Sequence, residues 1–594
     1  MPIRFLVLAF VLAALPASAQ PQHPPHNVLI FVADGLRADS VTPRAAPTMA
    51  RLAREGVTFA NSHSLFPTVT TVNASAIATG HYIGDTGNFG NQLYTGFVAP
   101  EAGGATTPFL ENDGILGEMN DHFGGNYLGE QSLLAAARAA GFQSAVFGKT
   151  GPAAIQDVTA RDGTSTLVID DSIGTAGGLP LPADIVEAVK AAGLPATAPK
   201  SAAPNDAQQA YLLAIATRIV LPKFKAAKRP FAIVFWSRDP DGTQHQQKDS
   251  LGKTSPGING PTSKAGIKDA DETLAALLGA LKALGLDRTT DVFVTADHGF
   301  STILKRSKTS AAARYESSAP PPVEQRDLPV GFLAIDLADA LKLPLFDPNT
   351  QKSVNYAAGE HPVAGNGLIG NDPKSPDLIV ASNGGSDELY LPDPNAKALA
   401  QRIVAVLAAE DYVSGIFVND ALGDIPGTLP MSAINLRGTA RTPQPSIVVN
   451  FRSFAVPGCT PPAMCAAEIA DTSLATGQGM HGTFSRADTR NFMAAAGPDF
   501  RRRAVDAAPV SNADIAPTLA HVLGLTIPPK GGLTGRVIGE ALPGGKRVTV
   551  AHGWQASKPG PGGLKTVLNY QQVGSTRYFD AAGFPGRTVG LIIH

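Results

Sequence analysis

The sequence predicts an α/β fold: a mostly parallel sheet sandwiched by helices, with an inserted cap-like subdomain. Two observations predict it. Short continuous apolar runs, Asn27-Val-Leu-Ile-Phe-Val-Ala-Asp34, Phe142 to Phe147, Phe231 to Trp236 and Asp291-Val-Phe-Val-Thr-Ala-Asp297, read as strands buried on both faces. Helical patterns separate them: Ala46 to Glu55 with Pro47 near its start, Gln131 to Ala140 closed by Gly141, Ala207 to Lys225, and Ile267 to Leu284 closed by Gly285. Alternation of strand and helix implies a parallel sheet covered by helices, with the ligand outside the carboxyl ends of the strands. Asp34, Asp239, Asp241 and Asp297 all fall at such ends.

The remaining segments follow in order. Met1 to Ala19 has one cation (Arg4), an apolar run from Phe5 to Leu15 and the small-residue site Ala17-Ser18-Ala19, which reads as a cleaved signal peptide and predicts a periplasmic or secreted protein. Residues 27–300 and 435–545 read as one catalytic core, resuming near Pro445 to Phe451 and closing with a helix from Asn512 to Leu523 before Gly524. Residues 301–434 read as an insertion or cap: a loop containing Ala319-Pro-Pro-Pro322, then short strands at Leu378 to Ala381 and Glu388 to Leu391. Residues 546–594 are Gly- and Pro-rich with β character, a C-terminal extension expected as an appended edge. Cys459 and Cys465 close a short loop if bonded, and are two free thiols otherwise.

Composition excludes some functions. Lys plus Arg is 48 against 50 for Asp plus Glu, a net charge of −2, so no positive field exists to bind nucleic acid. Charged residues are 16% and hydrophobic residues 44%, enough for a large core in a folded chain. No stretch after the leader has the 18 or more apolar residues that a membrane span needs, so none is expected in the mature chain.

Asp34, Asp241, His245, Asp297, His298 and His481 are carboxylates and imidazoles, the side chains that bind borderline divalent metals such as zinc, and six are enough for two ions. Asp241 and His245 are four apart, so one helical turn puts both on one side. Each piece alone has an ordinary reading: an Asp-Gly turn, a strand exit at Ala-Asp-His-Gly, a loop histidine at Met-His481-Gly. Phe66-Pro-Thr-Val-Thr70-Thr-Val-Asn73 leads into a short helix. A threonine at that start caps the helix or, facing unpaired N–H groups and the positive dipole end, serves as an alkoxide beside a phosphoryl group.

In the same order these motifs resemble the alkaline phosphatase superfamily, and they are most similar to its type I phosphodiesterase / nucleotide pyrophosphatase branch. The resembling residues are Asp34 after a strand, Pro67-Thr-Val-Thr-Thr-Val-Asn73, Thr79-Gly80, Gly87-Asn-Phe-Gly-Asn91, Asp241-x-x-x-His245, Asp297-His298-Gly299 and His481-Gly482, with Val72 where the branch has Pro. The resemblance implies an alkaline-phosphatase-like sheet and two divalent ions, Zn2+ by default. It assigns one ion to Asp241, His245 and His481, and the other to Asp34, Asp297, His298 and the Thr70 oxygen. Thr70 becomes the nucleophile, and Asn91 a donor to a non-bridging oxygen.

Phe147-Gly-Lys149-Thr-Gly151 follows a strand but is not a phosphate loop, which needs Gly where Gln143 stands. Some single-threonine periplasmic phosphatases of the superfamily carry Lys-x-Arg near here. This chain has Lys149 and then Gly151, so Lys149 is either a catalytic phosphate contact or a surface cation. The expected activity is hydrolysis of a small phosphodiester or pyrophosphate substrate, nucleotide-like, through a covalent threonine intermediate. The alternatives are an alkaline phosphatase acting on monoesters, motivated by Lys149, and a non-catalytic secreted binding module, which should have lost ligands and has not. A sulfatase lacks its motif, because Cys459-Thr-Pro-Pro-Ala463 has no Arg and lies too late.

Overall fold

The computed structural model describes residues 26–315, 327–393 and 396–593. The predicted signal peptide and Ala319-Pro-Pro-Pro322 lie outside these residues. The first strands in the chain are β1 (Asn27–Ala33), β2 (Val57–Phe59), β3 (Gln143–Gly148), β4 (Leu167–Asp170), β5 (Phe231–Ser237) and β6 (Thr290–Thr295). A second group comprises β7 (Leu345–Asp347), β8 (Lys352–Ser353), β9 (Gly367–Ile369), β10 (Leu378–Ser382), β11 (Ser386–Tyr390), β12 (Val413–Val418), β13 (Leu429–Pro430) and β14 (Ile447–Phe451). Next come β15 (Met493–Ala496) and β16 (Ala504–Asp506), and finally β17 (Ala551–Ala556), β18 (Val567–Val573) and β19 (Thr576–Gly583).

The central sheet has eight strands in the order β16-β2-β15-β6-β1-β5-β3-β4. The run β6-β1-β5-β3-β4 is parallel throughout, while β15 is antiparallel to both of its neighbours. Its apolar strands serve two cores because successive side chains point to opposite faces. Val28, Ile30 and Val32 join one core with Ile515, Leu519 and Leu523 of the helix Ile515–Leu523. Leu29, Phe31 and Ala33 join the other with Ile267, Leu274 and Leu281 of the helix Pro261–Ala283. Each fully buried Val, Leu or Phe contributes about 1.5–3 kcal/mol of transfer free energy, so both faces are firmly covered. Among the described residues no helix is long and apolar enough to cross a membrane.

Some expectations from the sequence are corrected. Ile447–Phe451 does not return the chain to the central sheet. As β14 it lies between β11 and β12 in a second eight-stranded sheet of order β8-β7-β9-β10-β11-β14-β12-β13. A buried five-residue run with four apolar side chains carries no mark of which sheet it joins, and the actual return strand, β15, is the bland Met-Ala-Ala-Ala. Ser301–Ile303, read as the start of a loop, is a strand of a small four-stranded sheet beside the site. The extension is a separate three-stranded antiparallel sheet, β17-β18-β19, rather than an appended edge. Thr566 ties it to the second sheet, donating from Oγ1 to Gly427 O at 2.7 Å and accepting from Ile416 N–H at 3.2 Å. Cys459 and Cys465 are disulfide-bonded, with Cα atoms 5.6 Å apart.

Candidate active site

Four neighbouring parallel strands deliver four side chains in a row. Asp297 follows β6, Asp34 follows β1, Asp241 follows β5 at the start of the helix Asp241–Gln246, and Lys149 follows β3. The pairings Val32↔Thr295, Ala33↔Ser237 and Gly148↔Trp236 bring the strand ends level. His298 continues from Asp297, and His245 lies one helical turn beyond Asp241 on the same side. His481, far along the chain, arrives because Gly479–Met480 pairs antiparallel with Ser301–Ile303, Met480 opposite Ser301, directly after the Asp297-His298 exit. All six sequence-predicted ligands therefore converge.

They converge as two groups, Asp241/His245/His481 and Asp34/Asp297/His298, whose ligand atoms within each group all lie within 4.8 Å of one another. The groups abut: the rings of His298 and His481 stack with centroids 3.6 Å apart. Each imidazole is held through Nδ1 by a backbone carbonyl, His298 by Gly299 at 2.8 Å, His481 by Thr68 at 2.8 Å and His245 by Gly479 at 2.8 Å. A carbonyl only accepts, so Nδ1 carries a proton and Nε2 is the nitrogen that points inward. Nε2 of His245 and of His481 lie 3.1 and 3.4 Å from Asp241 Oδ1, and Nε2 of His298 lies 3.5 Å from Asp34 Oδ1 and 3.3 Å from Asp297 Oδ2. Those three carboxylate oxygens are buried without a hydrogen-bond donor. Carboxylate oxygens left without donors in a dry site are costly unless a cation sits beside them. The donor set of Asp oxygens and His nitrogens suits a borderline divalent ion, so the residues fit the metals that the resemblance implies.

The electrostatics of the bare site say the same. Burial, followed by repulsion from Asp241, pushes Asp34 up to about 6 against the pull of Lys149. Burial and the charge of Asp34 push Asp297 well above the usual carboxylate range. Asp241 runs the other way: burial opposes its charge, but His245 and Lys149 override it and hold the carboxyl well below its ordinary value. Burial, with His481 adding to it, holds His298 well below the ordinary imidazole value and so neutral.

Thr70 is the first residue of the helix Thr70–Thr79, which is buried on every side and closes at Gly80 in the left-handed conformation. Three hydroxyls sit in this turn, and their partners differ. Thr68 donates to Thr483 O at 2.9 Å and Thr71 to Gly90 O at 2.9 Å. Only Thr70 turns Oγ1 to the carboxylate–imidazole groups, 3.4 Å from His298 Nε2 and 3.4 Å from Lys149 Nζ. Asn91 is fixed by its Oδ1, which accepts Thr71 N–H at 2.9 Å and leaves the amide NH2 as its donor. It lines a cavity of about 310 Å3 shared with Phe109, Val363, Ser382, Asn383 and Met480, between the core and the second sheet.

Lys149 is no surface cation. Its side chain is 5% exposed, with Nζ 3.1 Å from Asp34, 3.3 Å from Asp241 and 2.9 Å from Glu111. Burial disfavours the ammonium, yet Asp241, Asp34 and Glu111 together raise its pKa well above the usual lysine value. Sequence reasoning missed Glu111, in a loop with no periodic signal, and Trp236, whose Nε1 donates to Asp34 Oδ2 at 2.9 Å. Asp239 is at a strand end but outside both groups: it accepts from Asn205 N–H at 3.0 Å and Thr243 Oγ1 at 2.7 Å, a structural role. The buried trio His81/Asp85/Glu130 also lies elsewhere, and its carboxylates are already satisfied by N–H groups of Leu533, Thr439, Lys530 and Gly531.

A parallel run of strands whose ends gather three carboxylates, three imidazoles and one hydroxyl defines a hydrolase of the alkaline-phosphatase-like fold. The sequence model of the type I phosphodiesterase / nucleotide pyrophosphatase family matches residues 28–361, and the chain belongs to that family. A search of curated proteins finds no match. Membership makes it a phosphodiesterase- or pyrophosphatase-type hydrolase acting on a small phosphoester.

Proposed function

We propose that the protein is an exported two-metal phosphoesterase that cleaves phosphodiester or pyrophosphate bonds in nucleotide-like substrates through a covalent phospho- or nucleotidyl-threonine at Thr70. The observation that carries this is the orientation of Oγ1 of Thr70, alone among the three hydroxyls of its turn, toward His298 of one Asp/His group and toward Lys149, which bridges Asp34 and Asp241. Zinc ions at Asp241/His245/His481 and Asp34/Asp297/His298 would supply Lewis acidity that lowers the hydroxyl pKa and neutralises charge on the phosphoryl oxygens. The chain does the rest. The start of the helix Thr70–Thr79 offers its unpaired N–H groups and positive dipole end to the developing negative charge. Oγ1 attacks phosphorus, the P–O bond to the leaving group breaks in line, and water then releases the phosphoryl group from Thr70. The Asn91 amide, held by Thr71, donates to a non-bridging oxygen. The cavity beside Asn91 gives the leaving group a place between core and second sheet.

The monoester reading draws on Lys149 beside Thr70. Against it, Gly151 has φ +92° and a Cβ there would meet Glu111 Cα at 2.5 Å, so the arginine of a Lys-x-Arg pair has no room. The test is a comparison of rates on an aryl phosphodiester and an aryl phosphomonoester, with metal quantified in the same preparation. Diester preference with about two equivalents of metal is expected. A monoester preference of about a hundredfold, 2.7 kcal/mol or so in barrier difference, overturns the choice. Well under one equivalent of metal with no hydrolysis points to a binding module instead.

A further inference from the structure

Lys149 has more carboxylates than its charge requires. Asp34 and Asp241 belong to the two Asp/His groups, but Glu111 belongs to neither. Its Oε1 lies 2.9 Å from Lys149 Nζ, and its side chain is 11% exposed. That oxygen is buried with no hydrogen-bond donor aligned on it. The position is built in. Gly151, at φ +92°, admits the Glu111 backbone so closely that no side chain fits there. Two residues on begins the helix Asp113–His122, capped by Asn112 Oδ1 on Ile115 N–H at 3.2 Å. The other nearby cation, Arg238, is already engaged by Asp171 and by Gln208 Oε1 at 3.2 Å. Lys149 Nζ is 3.4 Å from Thr70 Oγ1. Glu111 thus stands one ammonium away from the hydroxyl and spends its charge on Lys149.

We propose that Glu111 is a specificity-determining residue: its carboxylate cancels the Lys149 ammonium and so turns the site against dianionic phosphoryl groups, making the preferred substrate a monoanionic phosphodiester. The inference rests on the proposed role of Thr70. The physics is one of unit charges. A diester phosphoryl carries one negative charge and a monoester about two at slightly alkaline pH. Repulsion by a fixed carboxylate therefore costs the monoester twice as much. Because Glu111 holds no place in either Asp/His group, its charge can be removed without dismantling them.

The experiment measures kcat/KM of the zinc-loaded wild type, Glu111→Gln, Glu111→Ala and Glu111→Asp on an aryl diester and an aryl monoester. Inhibition by inorganic phosphate, metal content and melting temperature are read alongside. Loss of the charge in Glu111→Gln and in Glu111→Ala raises the monoester-to-diester ratio by about tenfold or more, and phosphate inhibits both about tenfold more tightly. Glu111→Asp keeps the charge and stays within about threefold of the wild-type ratio. An unchanged ratio in the Gln and Ala variants overturns the proposal, and so does an Asp variant that shifts as far as they do, since position rather than charge would then matter. A wild type that prefers the monoester, or a Thr70→Ala variant that keeps turning over, overturns the reading of the site itself. With those two controls as expected, an unmoved ratio counts against Glu111 alone.

Discussion

Replacing the three threonines of one turn separately discriminates sharply between chemistry and architecture. Thr70→Ala removes the hydroxyl that faces His298 and Lys149. With no oxygen to attack phosphorus, turnover of an aryl diester falls by about a thousandfold or more, leaving only what binding and electrostatics supply to water. Thr68→Ala and Thr71→Ala each delete a hydroxyl whose partner is a backbone carbonyl, of Thr483 or Gly90. Such a bond is worth about 0.5–1.5 kcal/mol, and the stranded carbonyl brings the total cost to about 1–3 kcal/mol. That cost falls on stability, so both variants melt earlier but turn over within about tenfold of wild type. The assay is single-turnover hydrolysis with zinc content measured on the same samples, and mass spectrometry of acid-quenched enzyme to locate the covalent adduct. A Thr70→Ala enzyme within tenfold of wild type, or a Thr68→Ala or Thr71→Ala enzyme as dead as expected for Thr70→Ala, refutes the assignment of the nucleophile.

Two other outcomes follow from the same geometry. Trp236→Phe deletes the N–H that Asp34 Oδ2 accepts at 2.9 Å while keeping an aromatic ring in the core. Affinity for zinc, measured against a competing chelator, drops about tenfold to a hundredfold, and an unchanged affinity would contradict the orienting role of the indole. Stripping metal with EDTA changes how stability depends on pH. Asp34, raised to about 6 by burial and then by Asp241, keeps a proton in the folded state that the unfolded chain releases near the ordinary aspartate value of 3.8. Its contribution is therefore complete below about pH 4 and is lost as pH rises through about 6, with Asp297 extending the decline upward. Zinc binding competes with those protons and strengthens as they leave. Melting curves should thus show a gap between zinc-loaded and stripped protein that widens from pH 4.5 to 7; a gap of constant width would mean that these carboxylates do not hold the ion.

The sequence was most legible where apolar runs end in acid. The strands before Asp34, Asp241 and Asp297 carry their own pattern, and the carboxyl end of a parallel sheet is where ligands gather. His481 was legible only through order and resemblance, because the pairing of Gly479–Met480 with Ser301–Ile303 involves strands too short for any period to register. Ile447–Phe451 reads as a buried strand and is one, yet nothing local says that it belongs to the second sheet. Glu111 and Trp236 were silent for different reasons. A glutamate in a loop is ordinarily solvated, and a tryptophan at the end of an apolar strand is ordinarily packing; only their partners, Lys149 and Asp34, reveal otherwise.

The short ladder between Ser301–Ile303 and Gly479–Met480 also governs how this enzyme can change. Everything hung between those two strands, the whole second sheet and its helices, leaves and re-enters the core through a hydrogen-bonded gate a few residues wide. Lengthening or reshaping what lies beyond such a gate alters closure entropy only slowly with chain length, and the gate fixes His481 regardless. On the proposed function, the second-sheet surfaces lining the cavity beside Asn91 are therefore free to drift while the His481 ring stays in register, so new leaving groups are reachable without rebuilding the chemistry.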